Sequence, residues 1–173
     1  MRYFVILITI LGVFTFTGNA QKSALGSKPD PAKPVRDAFE RLVEGIRQTD
    51  AEKVMSVYEN SDRILFFNNN GSVTAGWTQM KENRVSSFAK TKNVTLETTG
   101  VRVEMLSPTS AYVSFKWKQT QEYDGKLENA SGRTTLVFKR IGKDWKAVHL
   151  HTSPDNPGPT RPVLDSERQT SNY

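Results

Sequence analysis

The apolar residues of this chain follow a helical spacing up to about residue 92 and an alternating pattern after it. In the first part, one stripe predicts a helix that begins at Asp30 or Pro31; its members are Val35, Phe39, Leu42, Val43 and Ile46. Asp30 suits the cap, and Pro31 suits the first helical position, where its missing N–H does no harm. Thr49-Asp50 is predicted to end this helix and to cap a short second helix that ends near Asn60.

A short hairpin and a third helix are predicted next. Residues 64–67 and 72–75 read as two paired strands, because the intervening Asn68-Asn69-Asn70-Gly71 is a tight-turn sequence that tolerates positive φ. The third helix is predicted to open at Gly76-Trp77-Thr78, with Thr78 as its cap, and to run to about Ala89. Three of its apolar residues are expected to face the core: Met80, Val85 and Phe88.

The alternating part predicts four long antiparallel strands joined by short turns. Residues 94–105 form the first, with a bend at Gly100. Residues 133–140 and 145–153 form the last two, joined by a hairpin turn at 141–144. In the second strand the apolar residues alternate with more polar ones; they are Ala111, Val113, Phe115 and Trp117.

This order of elements predicts an α+β fold in which three N-terminal helices pack on one face of a curved antiparallel sheet. A curved sheet closed by helices makes a cone with an interior cavity, and such a cavity is a common ligand site. The sequence therefore predicts both a fold class and a place for a ligand.

The N-terminal segment has the layout of a secretory signal. A short region with Arg2 precedes an almost wholly apolar run over residues 5–16, and the small residues Gly18 and Ala20 follow. We expect residues 1–20 to be a signal peptide cleaved after Ala20, which leaves an exported protein, periplasmic or secreted, without stable membrane insertion. A transmembrane anchor is the alternative, but the run is shorter than the roughly 20 residues that a span needs. Residues 21–30 read as a flexible tether, residues 31–154 as the domain, and residues 155–173 as a disordered proline-rich tail.

Charge and cysteine content exclude several functions. The net charge is +6, yet lysine and arginine are scattered among acids and no long basic run occurs, so nucleic-acid binding is not expected. A weak preference for anionic small molecules fits this balance better. The chain has no cysteine, which rules out disulfides, thiol catalysis and cysteine metal sites.

The last strand carries the only two histidines of the chain, His149 and His151. Residues two apart on a strand share a face, so both imidazoles should point the same way. A metal site is not predicted, because at least three protein ligands are needed and no further histidine or cysteine exists. Two interpretations stay open: a general acid–base role, since imidazole titrates near neutral pH, or packing on the sheet with hydrogen bonds across strands.

Residues 142–153 carry a resemblance to known proteins. Gly142-Lys143-Asp144-Trp145-Lys146-Ala147-Val148-His149-Leu150-His151-Thr152-Ser153 resembles the glycine, Trp-Lys-Ile-Val-His-x-His-x-Ser ending of SnoaL-like proteins and of the calcium/calmodulin-dependent kinase II association domain. With the helix junction at 48–51 and the hairpin ending in Gly76, the chain over about residues 31–154 resembles the nuclear transport factor 2-like superfamily. The resemblance implies a cone-shaped, cystatin-like fold that pairs as a homodimer through its outer sheet face. It does not imply one activity, because the superfamily includes isomerases, cyclases, dehydratases and assembly hubs.

Three hypotheses for function follow. The first is an exported domain that binds a small, partly apolar molecule in the cone. Phe66, Phe115 and Trp117 would supply apolar wall, Trp77 would line the entrance or anchor its helix, and polar contacts would come from Tyr58, Arg133, His149 and His151. Arg133 belongs in the cone only if its strand face is concave; on a convex face it is a solvated residue. The second hypothesis is an isomerase, cyclase or dehydratase that needs no cofactor and uses His149 or His151 to move a proton. The third is a structural or oligomerisation domain with a filled cone.

Overall fold

A computed structural model describes residues 29–155 of the chain. The predicted signal peptide, most of the predicted tether and almost all of the predicted tail lie outside the described residues. Within them, three helices are α1 (Lys33–Arg47), α2 (Ala51–Ser56) and α3 (Trp77–Phe88). The strands of the same part are β1 (Leu65–Phe67), β2 (Val73–Ala75), β3 (Thr91–Ser107), β4 (Ser110–Tyr123), β5 (Lys126–Ile141) and β6 (Asp144–Pro154).

The strands form one curved, unclosed sheet in the order β2-β1-β6-β5-β4-β3. β1 pairs parallel with β6, and the other neighbours are antiparallel. We call the face that packs against the helices the inner face and the opposite one the outer face. On β5 the buried residues Thr134, Leu136 and Phe138 mark the inner face, while the intervening Thr135 is exposed. The predicted α+β class and helix-covered sheet are confirmed.

The two N-terminal helices pack closely together. α1 begins at Lys33, two residues later than predicted from Pro31, and the Asp30 carboxylate accepts the backbone N–H of Ala32. A Cβ added at Gly45 would lie 2.9 Å from Cγ2 of Val54, so a glycine permits this contact of α1 with α2. α1 buries one stripe against the sheet: Val35, Ala38, Phe39, Leu42 and Val43.

Asp50 caps α2, as the sequence predicts. Its Oδ1 accepts the backbone N–H of Lys53 at 2.8 Å, which satisfies one of the free N–H groups at the helix start. The helix is shorter than predicted and ends at Ser56 rather than near Asn60.

Asp50→Ala is expected to lower the free energy of unfolding by about 1 kcal/mol, because the cap bond is lost. Asp50→Asn keeps a capping oxygen and should stay within about 0.5 kcal/mol of the wild type. Urea unfolding followed by circular dichroism measures both; equal losses for the two variants would contradict a capping role.

The third helix corrects two predictions. Its N-cap is Gly76, with a φ of 83°, and no side chain caps it, so the predicted cap at Thr78 is wrong. Met80 is buried, but Val85 is 49% exposed and does not face the core. Arg84 takes the inward position instead, four residues from both Met80 and Phe88.

A bulge in β6 decides which way the two histidines point. Phe138 of β5 pairs with Ala147 of β6, whereas the preceding Val137 pairs with His149, so β6 contains one extra residue here. Ala147 lies on the inner face, and strict alternation would put residues 149 and 151 on that face too. The extra residue shifts the alternation by one position. As a result, His149 and His151 both lie on the outer face.

Candidate functional site

The inner face of the sheet continues beyond the part that α1 and α2 cover. We call this end the cone mouth. Here a cavity of about 440 Å³ lies between strands β4 and β5, the end of α3 and the β1–β2 loop. Its lining consists of Asn69, Asn70, Ser87, Trp117, Gln119, Gln121, Tyr123, Glu128 and Ala130. The lining is rich in hydrogen-bonding groups and includes two aromatic residues, Trp117 and Tyr123. Such a mixture of aromatic surface and a few polar groups suits a small organic ligand.

Trp117 forms the inner end of the cone mouth. It pairs with Gly132 across β4 and β5, and a Cβ added at Gly132 would lie 2.8 Å from Cζ2 of Trp117. The indole therefore occupies the space that a side chain at position 132 would take. Its Nε1 is buried and has no hydrogen-bond partner among the described residues. An unpaired buried donor is uncommon and is expected to find an acceptor in the functional state.

Arg84 brings a charge into the interior beside the cone mouth. It lies on the inward side of α3, and its guanidinium stands 5.2 Å from the ring centre of Phe88. Its Nε is buried without a hydrogen-bond partner, and within residues 29–155 no carboxylate forms an ion pair with it. Ser87, which lines the cone mouth, follows Arg84 by three residues and so lies next to it on the helix surface.

Tyr58 and Arg84 influence each other's protonation. Burial raises the pKa of Tyr58 to about 12, and the positive charge of Arg84 opposes that rise. Burial lowers the pKa of Arg84, and the Tyr58 hydroxyl opposes the fall. Tyr58 is held from the sheet side, since it bridges to Ala147 of β6, and its ring packs edge-on against Phe66 at 4.9 Å.

The Tyr58 hydroxyl should make folding stability fall in alkali. Its pKa is higher in the folded chain than the ordinary value of about 10, so the stabilisation is complete below pH 10 and is lost as the pH rises through about 12. We expect a loss of about 2 to 3 kcal/mol across this window. Urea unfolding between pH 9 and pH 12 measures it.

Tyr58→Phe is the matched variant for this experiment, because it removes the titrating hydroxyl and keeps the ring. Its unfolding free energy should change much less over the same pH range. A decline as steep as that of the wild type would assign the effect to other groups.

Of the predicted ligand-binding residues on the inner side, Trp117 alone lines the cone mouth in the described part of the chain. Phe66 is 1% exposed in the filled interior, and Phe115 packs edge-on against Phe39 of α1 at 4.8 Å. Trp77 donates its indole N–H to the carbonyl of Met55 at 3.1 Å, which matches the anchoring role considered for it. Ligand roles for these buried residues stay predictions.

The expectation that His149, His151 and Arg133 look into the cone is wrong. All three lie on the outer face. There the Phe67 ring packs between the two imidazoles, with its ring centre 5.3 Å from that of His149 and 5.6 Å from that of His151. The bulge in β6 explains why the two histidines point outward. Arg133 points outward because it alternates along β5 with the buried inner-face residues. A catalytic role of either histidine stays a prediction, without support from the interior of the cone. In residues 29–155 no group of three or more histidines or acids could hold a metal.

Arg84 was missed by the sequence reasoning, although a signal exists. Met80, Arg84 and Phe88 are spaced by four, so an arginine interrupts an otherwise apolar helical stripe. Assigning Val85 to the core because it is apolar hid this pattern. No described helix is long and apolar enough to cross a membrane.

The family follows from comparison with known proteins. Residues 35–157 match the family model described as SnoaL-like domain. The chain belongs to the SnoaL-like domain family. This SnoaL-like domain matches no functionally curated protein.

Three solved structures with the same fold show how far the sequence has diverged. A nuclear transport factor 2-like superfamily protein from Salmonella enterica serovar Typhimurium has a TM-score of 0.67 and 21% identity, over 78% of this chain and 97% of its own. A ketosteroid isomerase-like protein from Erwinia carotovora has a TM-score of 0.64 and 16% identity, over 75% and 100%. A protein from Xanthomonas campestris, named as a candidate calcium/calmodulin-dependent protein kinase II association domain, has a TM-score of 0.62 and 20% identity, over 85% and 100%. At these identities the similarity shows the fold, and this fold is the one predicted from the sequence.

Proposed function

We propose that this SnoaL-like domain binds a small, partly apolar molecule in its cone mouth. The observation that carries the proposal is the cavity of about 440 Å³ on the inner face, with the unpartnered indole N–H of Trp117 beside it. An indole provides both apolar contact area and one directed donor, which suits a ligand with a ring and an acceptor atom. A protein with the same fold is named as ketosteroid isomerase-like, and that name refers to chemistry on a small molecule.

Tryptophan fluorescence tests the proposal. The chain has three tryptophans, and Trp117 lines the cone mouth while Trp145 is buried near the opposite end of the sheet. Small aromatic fragments, both charged and neutral, should change the emission of the wild type and of Trp145→Phe, but not that of Trp117→Phe. The fragments to begin with are phenylacetate, phenylacetamide, 2-phenylethanol and phenyl phosphate. No response from any fragment, or a response that survives in Trp117→Phe, would reject the cone mouth as a ligand site.

The two alternatives fare differently against the geometry. An isomerase, cyclase or dehydratase that uses a histidine in the cone lacks its acid–base group, since both histidines lie on the outer face. A filled, purely structural cone fits the part around Phe66 and Tyr58, which are 1% and 4% exposed, but not the cone mouth. Ligand binding is therefore the proposal that accounts for both the filled interior and the open cone mouth.

We also propose that two copies pair through the outer face. A row of side chains crosses four strands there: Tyr112, Val137, His149 and Leu65 lie side by side in register. Sedimentation velocity should show a dimer that Val137→Glu dissociates, while Leu127→Glu, at the exposed tip of β5, leaves it intact. Monomers at all concentrations in the wild type would refute this pairing.

Export remains a proposal that rests on residues 1–20. N-terminal sequencing of the protein recovered from its native host should give a chain that starts at Gln21. A chain that still begins at Met1 would contradict cleavage.

A further inference from the structure

We propose that the ligand of the cone mouth is a small organic carboxylate, and that Arg84 binds its carboxylate group. The inference rests on the proposed function and adds the chemical class of the ligand. The observation behind it is a guanidinium placed on the inward side of a helix, where residues 29–155 supply no anion beside it.

Removing a charge from water costs free energy unless an opposite charge and hydrogen bonds replace the water. Most inward arginines meet this need with a carboxylate of the same chain. Within the described part of the chain Arg84 does not: its guanidinium lies over the Phe88 ring, its charge acts on the Tyr58 hydroxyl, and its Nε is buried without an acceptor. Because an arginine side chain stays protonated in proteins, the missing partner is an anion.

One further donor stands at the cone mouth: the Trp117 N–H, which has no partner among the described residues. The amide of Gln119 is already used, since it donates to the side chain of Gln121 at 2.6 Å. The unpaired indole N–H calls for an acceptor atom on the ligand. The acid that lines the mouth, Glu128, is occupied by the Gln121 amide at 2.8 Å and lies at the exposed rim.

A carboxylate fits better than a phosphate. The planar guanidinium fork matches the two oxygens of a carboxylate, and one positive charge balances one negative charge. In the described part no lysine or arginine is among the lining residues, so with Arg84 alone beside the cavity a doubly charged phosphate monoester would be left partly unbalanced. The aromatic surfaces of Trp117 and Phe88 favour an acid with a ring or another flat apolar body.

Matched fragments test the inference on the purified full-length protein. By calorimetry, phenylacetate should bind at least about ten-fold more tightly than its neutral amide, phenylacetamide, and more tightly than phenyl phosphate. Arg84→Met should remove this preference, Arg84→Lys should retain part of it, and Arg140→Met, at an exposed position of β5, should leave it unchanged. Arg84→Met is expected to melt at or above the wild-type temperature, because an unpaired buried charge is gone, so its weaker binding cannot be ascribed to unfolding.

The outcomes separate this inference from the function on which it rests. If phenylacetamide binds the cone mouth as tightly as phenylacetate, or if Arg84→Met binds phenylacetate like the wild type, the carboxylate assignment is wrong while ligand binding stands. Tighter binding of phenyl phosphate overturns the choice of carboxylate. If no fragment of either charge perturbs Trp117, the ligand site itself is absent, and both proposals fall.

Discussion

Gly132→Val is expected to lower the free energy of unfolding by about 3 kcal/mol or more. A Cβ at this position would lie 2.3 Å from the carbonyl oxygen of Ser153 and 2.8 Å from Cζ2 of Trp117. The first of these atoms belongs to the backbone of β6, so the strain cannot be relieved by turning one side chain. Either β6 must separate from β5 at this end, or Trp117 must leave its position. Urea unfolding at neutral pH, followed by circular dichroism, measures the loss.

Ala130→Val is the matched control for this prediction. Residue 130 is the next inner position on β5, two residues closer to the rim, and it is exposed. Introducing valine there should change the unfolding free energy by no more than about 0.5 kcal/mol. If Gly132→Val behaves like the control, the close packing of Trp117 against β5 is not a feature of the folded protein.

The regular parts of this fold could be read from the sequence because local rules decide them. Ala111, Val113 and Trp117 are buried and share one face of β4 with half-buried Phe115, as an alternating strand requires. Asp50 caps α2, and Gly100 takes a φ of 61° where β3 changes register against β4. In each of these cases the local structure depends on the residue itself and on its neighbours along the chain.

The orientation of the histidines could not be read in this way. The alternation rule predicts correctly that His149 and His151 share a face, but it cannot tell which face. That choice depends on one extra residue of β6, accommodated opposite Val137 and Phe138 of a different strand. No local pattern around residue 148 marks it, because bulges are set by the pairing of two strands.

The cone mouth was only half predictable for a related reason. Trp117, expected in the apolar wall of the cone, lines the cone mouth, whereas the apolar pattern assigns Val85 and not Arg84 to the inward side of α3. A helix can place a charged residue inward if something else supplies its partner. The departure from apolar patterning is therefore itself the indication of function, as expected where local rules and the fold disagree.

The inner face thus has a filled half and an open half, the cone mouth, and Phe138→Ala tests how much the filled half contributes to stability. Phe138 is fully buried and pairs with Ala111 on one side and Ala147 on the other, both also fully buried. Two small neighbours make room for the ring, so its removal would leave three alanines in a row and a void that they cannot fill. We expect a loss of about 3–5 kcal/mol in unfolding free energy. Ile141→Ala, on the same strand but 41% exposed, should cost much less.

Ligand binding separates the two halves further. Phe138 lies six residues along β5 from Gly132, toward the closed end, and does not line the cone mouth. At a temperature where Phe138→Ala is still folded, its affinity for a fragment bound beside Trp117 should therefore match that of the wild type. Gly132→Val should lose both stability and affinity, because its clash displaces the indole. If Phe138→Ala weakens binding as much as Gly132→Val does, core and mouth act as one unit, and the ligand site must extend into the filled part of the cone.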